Sequence, residues 1–158
     1  MSRTALAVFA ALVTAGGVAN ADLSRGVISN FRGQLVVSKD ELPEGKNDKE
    51  TTQKINAAKL STVEGTKNDD VVFWNFHYTA FLTKTGSTAL KLEFMKDGKL
   101  AADQRLDSVD PKSNVLSGDI HINEDEGLAA GKTYTVQLVT ANDAVVAKST
   151  VTFAGGGK

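Results

Sequence analysis

Residues 71–82 read VVFWNFHYTAFL, and no other stretch restricts the fold so much. Successive side chains of an extended strand point to opposite faces, so a period of two sorts this segment into two sets. Val72, Trp74, Phe76, Tyr78, Ala80 and Leu82 form one set, apolar almost throughout. Val71, Phe73, Asn75, His77, Thr79 and Phe81 form the other, polar in its middle. The helical period separates neither set. The even set is expected to face a core and the odd set to face away from it.

The same alternation recurs along the chain. Phe31–Ser38 is expected to be the first strand, with Leu35 and Val37 on one face. Leu90, Leu92 and Phe94 alternate with charged and longer residues, and Lys96-Asp97-Gly98-Lys99 then turns the chain. Asp-Gly between alternating runs is a strong hairpin signal, because the tight turn needs positive φ. Ile120 and Ile122 are expected to face inward from a strand over 115–123, and Tyr134, Val136 and Leu138 from the next. Ala141-Asn142-Asp143 turns, and 145–153 returns. Short strands punctuated by turns, with no internal repeat, predict one all-β domain of about seven strands, a sandwich or a barrel.

Residues 39–70 break the pattern as a long polar insertion or loop, dense in charge and free of aromatic residues. Ile55, Ala58 and Leu60 fit one face of a short helix, with Asn47 and Glu50 spaced like a capping box, or equally a short edge strand. A structureless loop of such length inside a compact domain is uncommon, so a local element is expected there.

The start of the chain has the order of a secretory signal: Arg3, an apolar run over 5–13, Gly16-Gly17, then Ala19-Asn20-Ala21. Residues 1–21 are read as that signal peptide, 22–154 as the domain and 155–158 as a flexible tail. The apolar run is short for a bilayer span, and no later stretch approaches one. Cleavage removes one of 18 basic residues and none of 19 acidic ones, leaving a nearly balanced chain without a basic stripe. That argues against nucleic acid as a partner. There is no cysteine, so the core alone must hold the fold and no thiolate metal site is possible. Without cysteine or a glycosylation sequon, the expected setting is the bacterial envelope, secreted or periplasmic.

Leu128-Ala-Ala-Gly131-Lys-Thr-Tyr134-Thr-Val136 resembles the turn into the penultimate strand of immunoglobulin-like and fibronectin-type-III-like sandwiches. The resemblance covers 71–153 by strand spacing and 128–136 by motif. It implies an immunoglobulin-like antiparallel β-sandwich in which the Tyr134 hydroxyl bonds back to upstream backbone. Gly131 permits the bend before the strand. Trp74 fits an inter-sheet core tryptophan, with its ring and that of Tyr134 meeting between the sheets. The paired cysteines of antibody domains are missing, and the motif speaks to topology rather than function.

No catalytic constellation stands out. The serines lack a Gly-x-Ser-x-Gly context, and a lone strand histidine such as His77 is ordinarily a polar surface or half-buried residue. Asp119, His121 and Asn123 share a strand face, too widely spaced to bind a metal by themselves. His77 opposite His121, with Asp119 nearby, is the weak metal candidate; no cofactor is expected. The odd face of 71–82 is the partner-binding candidate: Phe73, Asn75, His77 and Phe81 form a mixed patch unless residues 39–70 cover it. Lys84, Lys91 and Lys148 are read as charged guards against uncontrolled strand pairing. The expected function is a non-enzymatic exported module that binds protein or builds surface structure by self-assembly. A small periplasmic metal-binding protein and an inhibitor presenting 39–70 as its loop are the alternatives; a hydrolase ranks last.

Overall fold

The computed structural model describes residues 23–156. The leader read over 1–21 lies outside the described residues, as does the end of the tail. Within them run α1 (Arg25–Phe31), β1 (Leu35–Ser38), α2 (Asp48–Ala58), β2 (Thr62–Glu64), β3 (Thr66–Asn68), β4 (Val71–Phe81), β5 (Leu90–Lys96), β6 (Lys99–Leu106), β7 (Val115–Asn123), a 3-10 turn at Glu124–Glu126, β8 (Lys132–Thr140) and β9 (Val145–Ala154). None of the described helices is long and apolar enough to cross a membrane.

The strands form two sheets, as an all-β sandwich requires. In the first, β7 pairs β4 along its whole length, while β1 pairs Ala80–His77 and β3 pairs Phe73–Val71 of the same strand. The second has the order β2-β9-β8-β5-β6, antiparallel except where β2 runs parallel to β9. The even residues of 71–82 do face the core, from Val72 through Trp74, Phe76, Tyr78 and Ala80 to Leu82. Burying such a row drives the two layers together, since each large side chain contributes about 1.5–3 kcal/mol on leaving water.

Phe153 is the hub between the layers. Trp74 packs edge-on against it at 5.7 Å between ring centroids, and Tyr134 at 5.8 Å. Phe76 and Phe94 also pack against that ring. The expectation that the Trp74 and Tyr134 rings meet is thus corrected: Phe153, from the last strand, joins them. The hydroxyl of Tyr134 accepts the Ala129 N–H at 2.8 Å, and Gly131 has a φ of +76°. Both features anticipated for the turn into β8 are therefore present. At the β5–β6 turn, Asp97 and Gly98 both have positive φ, as the hairpin signal demands.

Three expectations change. Phe31 ends a helix rather than starting a strand; Ser24 caps α1 by accepting the Val27 N–H, and the chain turns at Gly33 before β1 begins at Leu35. Residues 39–70 are not a loop. The helical option holds for Ile55, which lies buried on α2, with Asn47 accepting the Glu50 N–H. The same segment then supplies β2 and β3, bringing the strands to nine. At Gly65 the chain passes from one sheet to the other. A Cβ there would lie 2.8 Å from both the Ala154 carbonyl and Trp74 Nε1, so only glycine fits. Trp74 Nε1 donates to that same carbonyl at 2.8 Å.

Candidate functional site

The odd face of β4 divides into a covered half and an open half. Val27 and Phe31 of α1, Ile55 of α2, Val36 of β1 and Phe81 of β4 form a second apolar cluster on the outer side of the first sheet. Phe31 and Phe81 meet at 5.2 Å between centroids. Phe81 is 0 % exposed, so it leaves the candidate patch and belongs to a core of its own. Of the two readings of this face, cover by the protein's own chain holds here. The cover comes from α1 as well as from 39–70. The sequence signal for α1 was Ser24 three residues ahead of Val27, with Phe31 one turn further on.

Register arranges the remaining residues in rows. Ser38, His77 and Asp119 stand opposite one another across β1, β4 and β7. Asn75 stands opposite His121, and Phe73 opposite Asn123. His77 is 4 % exposed, and its Nδ1 lies 2.9 Å from Asp119 Oδ1. The carboxylate reaches inward from an otherwise wet side chain, 65 % exposed. His121 bonds Asn75 Oδ1 through its own Nδ1, on the open part of the face. The two imidazoles thus take different partners in adjacent rows instead of facing each other. Among the described residues no group of three or more histidine, cysteine or acidic side chains is placed to hold a metal.

The Ser38–His77–Asp119 row has the membership of a catalytic triad without its accessibility. Ser38 is 1 % exposed, and its hydroxyl donates to the Asp40 carbonyl at 2.7 Å. A nucleophile must reach substrate, and this hydroxyl is spent on the chain's own backbone. The bond between His77 and Asp119 instead joins β4 to β7.

What the face offers outward is compact. Phe73 is half-buried; Asn75, Asp119 and His121 are exposed; Asn123 is half-buried at the rim. Asn123 and Glu126 form a reciprocal cap over the 3-10 turn, and Glu124 accepts the Val72 N–H at 3.0 Å. That acidic turn fixes the lower end of the patch. An aromatic ring, an amide, a carboxylate and an imidazole on a rigid strand pair suit recognition of a mixed polar and apolar surface. No protein family, curated protein or solved structure matches the chain.

Proposed function

We propose that this chain is an exported, non-enzymatic binding module of immunoglobulin-like topology, working in the bacterial envelope or outside the cell. Strand order supports the topology. The row β9-β8-β5-β6 packs against β4 and β7, and the leading segment divides between the two sheets, β2 beside β9 and β3 beside β4. The tyrosine bonded back across the turn into the penultimate strand adds to it. The observation that carries the binding reading is the open half of the β4–β7 face, where Phe73, Asn75 and His121 stand clear of the helical cover.

The test uses the full chain expressed in its native host. Sequencing of the exported protein should begin at Asp22. Cross-linking should capture a protein partner that is lost with Phe73→Ser or Asn75→Ala while the circular dichroism spectrum is unchanged. A partner retained by both variants, or no processing after Ala21, overturns the corresponding half of the reading.

A further inference from the structure

Backbone hydrogen bonds reveal which groups of β7 are left over. The N–H and C=O of a strand residue point to the same side, and successive residues alternate. Phe81 donates to the Gln34 carbonyl and accepts from the Gly33 N–H, on the β1 side of β4. Leu82 donates to the Asn114 carbonyl, and Val72 to Glu124, on the β7 side. Even residues of β4 therefore serve β7. Their opposites are even residues of β7, since Trp74 faces Ile122 and Phe76 faces Ile120. The odd residues of β7 turn their main-chain groups away from β4. The Asn123 N–H is taken by Glu126. For Asp119 and His121, both exposed, no main-chain partner occurs among the described residues, whereas Ser117 is buried at 5 % exposure.

Free edges are ordinarily guarded by charge, proline or a bulge. One outer strand of the other sheet shows such guards: β6 carries Lys99, Asp103 and Arg105, and its register shifts opposite Phe94 and Met95. β7 does not. It keeps unbroken register from Val115 to Asn123 and contains no lysine, arginine or proline. Its one formal charge is Asp119.

We propose that the β7 edge is the surface through which two copies of this chain pair, antiparallel and centred on Ile120. This register sets Asp119 opposite His121 of the second copy, twice by symmetry. Centring on Asp119 instead would set carboxylate against carboxylate, which is unfavourable for directly opposed residues. The pairing atoms are available. Asp119 is held by His77 through Oδ1 and keeps Oδ2; His121 is held by Asn75 through Nδ1 and keeps Nε2. The contact is isologous, so it closes at two copies. It names a second copy of the chain as a partner of the proposed binding module and rests on that reading.

Light scattering and sedimentation of the full chain over a concentration series test it. A reversible dimer is expected, weakened about tenfold by His121→Asp, which places two pairs of like charges in opposition. His121→Pro should also weaken it, since it removes an outward N–H and leaves the β4 ladder intact. On the unaltered chain, amide exchange at Asp119 and His121 should slow as concentration rises. A monomer at all concentrations, an open-ended polymer, a dimer indifferent to both variants, or exchange independent of concentration overturns the proposal. A monomer that still captures another protein through Phe73 and Asn75 sinks the dimer and keeps the binding module.

Discussion

The hydroxyl of Tyr134 and the amide of Gln104 are both removed from water, and they are treated differently. Tyr134 accepts the Ala129 N–H, so its ring enters the core without an orphaned group on either side. Gln104, opposite Leu92 on β6, is 9 % exposed, and neither amide atom has a partner; the hydroxyl of Thr79 is alike. A buried polar group without a partner loses its hydration and recovers nothing. Tyr134→Phe should therefore cost about 1–3 kcal/mol, by orphaning the Ala129 N–H. Gln104→Leu should instead raise stability by about 1 kcal/mol. Urea unfolding of both variants checks the pair; an order reversed between them would contradict the hydrogen-bond accounting of this core.

At the scale of elements, α1 and α2 decide what the outer face of β4 can do. α2 starts where Asn47 accepts the Glu50 N–H, while the Glu50 carboxylate turns back to the Lys46 N–H rather than to Asn47. That backbone bond, with help from Lys54, holds the Glu50 carboxyl below its ordinary range. The helix presents Ile55 to Phe81, and α1 adds Val27 and Phe31. Side chains four residues apart on one helix face make such a cover from little sequence. Phe81→Ser should consequently cost about 3–5 kcal/mol, as for other large-to-small changes in a packed core. Phe73→Ser, on the open half of the same strand, should cost much less. Denaturant midpoints distinguish them, and equal losses would mean that the face has no open half.

For the whole molecule, stability rests on two layers closed around Phe153, with no disulfide to restrain the unfolded chain. Tyr78 lies in that interior, and burial pushes its phenol from 10.0 up to about 12. The folded state thus favours the neutral phenol. The stability this contributes is fully present below pH 10 and is lost as pH rises through about 12. The loss amounts to about 3 kcal/mol at about 1.4 kcal/mol per unit. Tyr78→Phe should flatten the alkaline limb of a stability–pH curve measured by urea midpoints from pH 8 to 12. An unchanged slope would place the phenolate in solvent.

Short-range chemistry was legible in the chain itself. Alternation over 71–82 marks the core face, Asp97-Gly98 marks a hairpin, and Gly131 with Tyr134 marks a pinned turn. Each depends on neighbours within a few residues. The Asp69-Asp70 turn into β4, with positive φ at both residues, carries no glycine and escaped that reading. The candidate site was legible only as a list of residues on one face. Burial of Phe81 follows from the cover by α1 and α2, and the choice of Asp119 rather than His121 as the partner of His77 follows from register across strands over forty residues apart in sequence. Shifting a strand by one position exchanges its two faces. Local sequence therefore determined which side of β4 is dry. Only the folded chain decided which part of the other side is covered and which edge is left open, because those outcomes depend on long-range pairing that no short segment encodes.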